Sequence, residues 1–312
     1  MLKKITAVFL IKITHLSFAQ KIRRIKMKKL AFSFLVGLLL SFSAHAVNIL
    51  LPAYFYPSSD PSLSFWDEMT AAAGQVGITA IMNPNSGPGS SVNSDYTTAV
   101  NAFRAAGGKV VGYVYTDYGA RLPAEVLSEV ASYASFYNID GIFLDEMSIL
   151  SVDLAYYQSL YSSIKSTNPG YRVFGNPGTN TLESYLTAAD VLVTFENQTG
   201  YDTFTPDTWT NNYTADHFAH LLYNVSDEAA MLANVALAAD RNVGYLYITN
   251  DTRVDENPWD TLSHYWNAEV SAVSAIPEPS SGLLLLAGLG LIGFHFQKLK
   301  GARVRDCTQI VI

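Results

Sequence analysis

Asp145 and Glu146 close the apolar run GIFLDEM (Gly141 to Met147), and Glu196 closes VLVTFEN (Val191 to Asn197). Two carboxylic acids converging on one cleft are the minimum equipment for breaking a glycosidic bond. One protonates the leaving oxygen, while the other attacks the anomeric carbon or activates water. A single acid at a strand end serves equally well as a helix N-cap or a surface charge. Two such acids, each following five or more mostly apolar residues, favour chemistry.

Residues 47–276 supply the elements that must position these acids. Eight runs rich in Val, Ile, Tyr and Phe begin at Asn48, Ile78, Lys109, Ile139, Tyr171, Val191, Phe218 and Val243, and most end in Asn, Asp, Gly or Pro. Segments of helical spacing follow the first three (WDEMTAAAGQVG, YTTAVNAFRAAGG, PAEVLSEVASYASFY), and DEAAMLANVALAADR precedes the eighth. Gly107-Gly108 stops one helix, and Pro123 fits the first turn of another. The pattern predicts eight strand-then-helix units in one domain, an α/β fold of the (β/α)8 TIM-barrel type, with the reactive face at the strand C-termini. A doubly wound open sheet is the alternative, but it usually has fewer strands and a phosphate-binding first turn.

Side chains alternate along a strand. Phe143 and Asp145 are therefore expected on one face, and Leu144 and Glu146 on the other, so that Glu146 needs the following loop to turn it inward. By the same rule Thr194 should share a face with Glu196. Tyr rings stack on sugar faces and carry a hydroxyl, which makes Tyr54, Tyr115 and Tyr247 candidate substrate contacts, with Tyr56, Tyr113 and Tyr245 in the same strands. Asn83, Asp117, Asn176 and Asn250 stand at strand ends, where they can bind sugar hydroxyls or simply form turns.

Charge narrows the partners. Of 20 Lys and Arg only seven fall in residues 47–276, against 25 of the 27 Asp and Glu, a formal charge of −18 for this body. Such a surface repels nucleic acid and anionic lipid and attracts neutral or cationic partners. The one cysteine, Cys307, lies outside the body, which leaves it without disulfides or a thiolate site. His217 and His220 are spaced as metal ligands would be on a helix, but they lead into the apolar run HLLYNV and are expected to be structural. The body contains no GxSxG, HExxH or Walker-type loop. Neither a cofactor nor a metal is expected.

The ends of the chain concern export. Met27-Lys28-Lys29, an apolar core over Leu30 to Leu40 and Ala44-His45-Ala46 form a secretory signal with cleavage after Ala46 by signal peptidase. Residues 1–26 precede it and are given no part in the fold. At the other end, Pro277-Glu278-Pro279 precedes an apolar run (Ser281 to Phe296) and the cations Lys298, Lys300, Arg303 and Arg305. This tail, 277–312, resembles the PEP-CTERM sorting signal of Gram-negative bacteria. The resemblance implies a transient membrane anchor, processing by an exosortase, and delivery to the cell surface or extracellular matrix. Gly288, Gly290 and Gly293 have dinucleotide-loop spacing, but within an apolar run of membrane length they read as helix residues.

Taken in order, LLPAYFYP, IMNPNSGPG, GYVYTDYGAR, GIFLDE, GNPGT and FEN resemble the spherulation-specific family 4 (spherulin 4-like) proteins across essentially the whole body. The resemblance implies a (β/α)8 glycoside hydrolase, endo-acting on exopolysaccharide with α-linked galactosamine or N-acetylgalactosamine. It also implies Asp145 as nucleophile, Glu196 as acid/base and Glu146 in support. The sorting tail departs from fungal and slime-mould members and leaves the natural polymer open. The competing reading is a non-catalytic carbohydrate-binding matrix protein on an inactive barrel; retention of all three acids favours the enzyme. A polysaccharide deacetylase would need a His/Asp metal set that the body does not show.

Overall fold

A computed structural model of the protein describes residues 47–60, 63–254 and 257–276. The leader, the signal and the sorting tail lie outside the described residues. The described residues form one compact unit, within which eight parallel strands close into a barrel in sequence order: β1 Asn48–Ala53, β2 Ile78–Met82, β3 Lys109–Tyr115, β4 Gly141–Asp145, β5 Arg172–Gly175, β6 Val191–Asn197, β7 Phe218–Leu222 and β8 Tyr245–Ile248. The strands are nearly unbroken apolar runs because they are covered on both faces: side chains of the barrel interior on one, helices on the other.

Six α-helices surround the described barrel: α1 Phe65–Ala72, α2 Ser94–Ala105, α3 Pro123–Phe136, α4 Leu154–Thr167, α5 Glu228–Ala239 and α6 Trp266–Ser274. Local chemistry marks their starts. Asn93 caps α2 by accepting from the Asp95 and Tyr96 N–H groups, Pro123 occupies the first turn of α3, and Asp227 caps α5 by accepting from the Ala230 N–H. Each helix turns a 3.6-period stripe inward, such as Val126, Val130 and Tyr133 of α3. Gly112 in β3 leaves room for the Tyr133 ring, which a Cβ there would meet at 2.6 Å. The Tyr133 hydroxyl then donates to the Met82 carbonyl at 3.0 Å. Burying an aromatic side chain in this way contributes about 1.5–3 kcal/mol.

Three expectations change. The units after β5 and β6 carry only 3-10 turns, Glu183–Thr187, Thr208–Asn212 and Ala215–His217, in place of α-helices. Those stretches are rich in Thr, Asn and Asp, whose side chains bond nearby backbone and compete with helix. The first strand ends at Ala53, which leaves Tyr54 and Tyr56 beyond it. Thr194 does not share a face with Glu196, because the β6–β7 register slips between Val193 and Phe195. Thr194 Oγ1 lies 3.1 Å from His220 Nε2, and Phe195 packs on the same imidazole. Leu221, the next residue of β7, instead lines the cavity that holds Glu196. The bulge resets the alternation and aims Glu196 inward.

Candidate active site

A cavity of about 250 Å³ opens at the C-terminal end of the barrel. Pro52, Phe143 and Leu221 come from the strands; Tyr54, Tyr113 and Tyr223 add aromatic wall, and Arg253, Asn257 and Trp259 of the loop after β8 close one side. Asp145, Asn176 and Glu196 bring two carboxyls and an amide into it. Phe143 and Asp145 share the inward face, as alternation requires.

Asn176 joins the two acids. Its Nδ2 donates to Asp145 Oδ1 at 2.7 Å and to Glu196 Oε2 at 2.6 Å. Two oxygens 2.7 and 2.6 Å from one nitrogen are at most 5.3 Å apart. The backbone fixes this arrangement from both sides: the Asn176 N–H donates to the Leu144 carbonyl, and the Met147 N–H to the Asn176 carbonyl. On β6, the Glu196 N–H donates to the Gly178 carbonyl at 2.9 Å. Gly178 holds φ +66 there, where a Cβ would lie 3.6 Å from the Glu196 Cβ, and glycine adopts that conformation without steric cost.

The acids differ electrostatically. Burial pushes Glu196 up to about 7, the Asp145 charge adds to the rise, and Asn176 and the Arg253 charge oppose it. Burial also raises Asp145, but the Glu146 N–H, the Asn176 amide and the Tyr113 hydroxyl all bond its carboxylate and pull it back. Three donors against one favour ionised Asp145 beside protonated Glu196.

Glu146 lies on the rim. It takes φ +51, so its N–H faces Asp145 while its own carboxylate accepts from the Asp117 N–H. The loops after β3 and β4 interlock around it. The Thr116 N–H donates to the Asp145 carbonyl, the Tyr118 N–H to the Glu146 carbonyl, and Thr116 Oγ1 reaches both carbonyls at 2.9 and 2.8 Å. Tyr157 of α4 secures them from below: its hydroxyl accepts from the Ser148 N–H at 2.8 Å and lies 3.0 Å from Thr116 Oγ1.

Of the substrate-contact candidates, the fold brings Tyr54 and Asn176 to the cavity. Tyr115 lies under the Arg121 guanidinium, 4.0 Å from ring centre to Cζ. Asp117 is exposed on the rim. One expectation is corrected. Tyr247 is wholly buried, with Trp259 and Trp266 against its ring. Asn83 and Asn250 are half-buried; Asn83 Oδ1 accepts from the Gly87 N–H and Asn250 Oδ1 from the His264 N–H. Trp259, Arg253 and Tyr223 were not singled out from the sequence. The signal present was a long loop after the last strand carrying Pro258-Trp259, on the face where barrel loops bind ligands.

His220 is fully buried between the Thr194 and Tyr201 hydroxyls, and burial, with the Arg241 charge, pushes its pKa down to about 3. His217 Nδ1 contacts the Asp190 carbonyl. The two thus serve the fold, and among the described residues no cluster of His, Cys, Asp or Glu could hold a metal ion.

Two acids sharing one amide at the C-terminal mouth of a closed parallel (β/α)8 barrel form an arrangement with the chemistry that hydrolysis of a glycosidic bond requires. The chain belongs to spherulation-specific family 4, whose model matches residues 48–273. Spherulin-4 of Physarum polycephalum is 34% identical over 248 residues, spanning 75% of this chain and 72% of that protein. The solved Sph3 of Aspergillus clavatus, in complex with GalNAc, aligns with a TM-score of 0.64 at 21% identity, covering 74% of this chain and 98% of that one. The cyclic α-maltosyl-(1→6)-maltose hydrolase of Arthrobacter globiformis gives 0.50 at 11% identity over 75% and 81% of the two chains. At these identities the structural likeness speaks for the fold. Residues 275–298 match the PEP-CTERM protein-sorting motif, which implies exosortase processing and suggests export in a Gram-negative bacterium. Among the described residues no helix is long and apolar enough to cross a membrane; the apolar run of the tail lies outside them.

Proposed function

We propose that this protein is an exported, endo-acting glycoside hydrolase that cleaves exopolysaccharide containing α-linked N-acetylgalactosamine or galactosamine, with retention of anomeric configuration. The observation that carries the reading is the Asn176 amide held between the Asp145 and Glu196 carboxyls, whose bonded oxygens are at most 5.3 Å apart (2.7 and 2.6 Å from one nitrogen). Retaining glycosidases hold their two carboxyls about 5–5.5 Å apart, whereas inverting ones need about 6.5–9.5 Å to admit a water. The galactosamine-type sugar is supported by family membership and by the GalNAc bound to the similar Sph3.

In the first step Asp145 Oδ attacks the anomeric carbon as Glu196 delivers its proton to the departing glycosidic oxygen, leaving a glycosyl ester on Asp145. Glu196, now ionised, takes a proton from water, and the resulting hydroxide attacks the same carbon and releases Asp145. Tyr113 and the Glu146 N–H hold Asp145 for attack, so Glu146 supports catalysis through its backbone and its rim charge. Tyr54 and Trp259 offer rings to the sugar. After export, the tail supports a transient membrane stage and a final place at the cell surface or in the matrix.

Incubating the 47–276 body with partially deacetylated α-galactosaminan tests the activity through new reducing ends, and NMR of the earliest product tests the stereochemistry. Retained configuration is expected. An inverted first product would recast Asp145 as the base, and the absence of any new ends would leave the binding-protein reading standing.

A further inference from the structure

The cavity holds about 250 Å³, room for a single pyranose, so a polymer must lay its next sugar on the rim. We infer that Tyr118 is the stacking platform for the sugar adjoining the one in the cavity, a second carbohydrate subsite at the β3–β4 edge of the mouth. The inference rests on the glycosidase reading of the same site.

Three observations point to that ring. Tyr118 is 63% exposed although its neighbours in the loop are firmly anchored. Its N–H donates to the Glu146 carbonyl at 2.8 Å, one residue from Asp145, while Thr116 beside it donates to the Asp145 carbonyl. The backbone is left-handed at three successive residues, Asp117 (φ +48), Tyr118 (φ +53) and Gly119 (φ +90), and again at Glu146 (φ +51). Non-glycine residues adopt this conformation at a cost, and packing of the ring repays little of it here, because Tyr118 is mostly exposed. The Gly119 N–H donates to the Thr116 carbonyl at 3.0 Å and the Ala120 N–H to the Asp117 carbonyl at 2.8 Å, which fixes the turn in place. The hydroxyl senses the site: partial burial, then the charges of Glu146, Asp145 and Glu196, raise its pKa. An amphipathic, mostly exposed ring on a loop whose backbone is hydrogen-bonded to the end of β4 suits a pyranose with its apolar face and hydroxyl rim.

The test uses the 47–276 body carrying Glu196→Gln, so that binding is read without cleavage. Titration calorimetry compares N-acetylgalactosamine with α-linked N-acetylgalactosamine oligosaccharides. Tyr118→Gly removes the ring while tolerating the left-handed backbone, and Tyr118→Phe keeps the ring. The Gly variant should bind oligosaccharide roughly five- to tenfold more weakly, with a much smaller change for the monosaccharide, and the Phe variant should bind within about twofold of the parent. Equal oligosaccharide affinity in the Gly variant, equal losses for both ligands, or no oligosaccharide binding by the parent would each overturn the subsite. Failure of the hydrolase reading shows separately, as oligosaccharide binding by the unsubstituted body with no new reducing ends.

Discussion

Asp145 receives three hydrogen-bond donors and Glu196 receives one, and that asymmetry divides the labour of a chemically similar pair. Glu196→Gln keeps the acceptor for Asn176 but cannot transfer a proton; kcat should fall at least about 100-fold while the circular dichroism spectrum and melting temperature stay unchanged. Undiminished turnover in that variant would remove Glu196 from the mechanism. The wild-type profile of kcat/KM against pH should be bell-shaped. Its alkaline limb should lie near 7, where Glu196 loses its proton, and its acid limb lower, where Asp145 gains one. Asn176 pulls both carboxyls down, so Asn176→Ala should shift the alkaline limb to higher pH as well as lower the rate. A limb that stays in place would mean that the amide does not tune the pair.

Two helices reach from the outer layer to the ends of strands. Tyr157 of α4 ties the Ser148 N–H and Thr116 together beneath Asp145. Removing its hydroxyl in Tyr157→Phe orphans a buried N–H and should cost about 1–3 kcal/mol, measurable as a lower urea midpoint, together with reduced kcat. On the other side, β1 and β8 pair only at Asn48–Tyr245 and Ile49–Leu246. Where that seam opens, the Ile248 N–H donates to Glu269 Oε1 of α6 at 2.8 Å. Glu269 is fully buried, and burial holds its carboxyl well above the ordinary range, with the Ile248 bond only partly opposing this. The unfolded chain ionises this group near the ordinary glutamate value of about 4.3. Above that pH the folded state keeps a proton that the unfolded state has lost, and stability declines as pH rises toward the folded pKa. Glu269→Gln keeps the acceptor and abolishes that ionisation, so its melting temperature should exceed wild type by more at pH 8 than at pH 5. A pH-independent difference would exclude this linkage.

The molecule as a whole is governed by its excess of acid. Seven cations face 25 acids in the body. Five of the cations lie in ion pairs: Arg104 and Lys109 with Asp140, Arg121 with Glu129, Lys165 with Asp190, and Arg172 with Asp216. The remaining acids repel one another across the surface, and counterions screen that repulsion over a Debye length of about 10 Å at 0.1 M salt. The melting temperature of the body should therefore rise when NaCl increases from about 0.01 M to about 0.15 M, whereas affinity for a partly deacetylated, cationic polymer should fall over the same range. A melting temperature that falls with salt would show that the ion pairs outweigh the general repulsion.

The number of strands, their parallel order and the two acids at the ends of β4 and β6 were legible in the sequence, because fully covered strands leave continuous apolar runs and their ends are marked by Asp, Asn, Gly and Pro. The sorting motif at 275–298 was legible for a similar reason, being a linear pattern of charge and hydropathy. The face of Glu196 depended on a bulge at Thr194, which inserts one residue without a compositional mark. The clustering of Asn176 with both acids needed barrel closure, since 31 and 20 residues separate it from Asp145 and Glu196. Tyr247 and Tyr54 look alike as strand-end tyrosines, yet one is sealed beneath Trp259 and Trp266 and the other lines the cavity. Local sequence sets which residues reach a strand end; only the packing of distant loops and helices decides which of them remain open to a ligand.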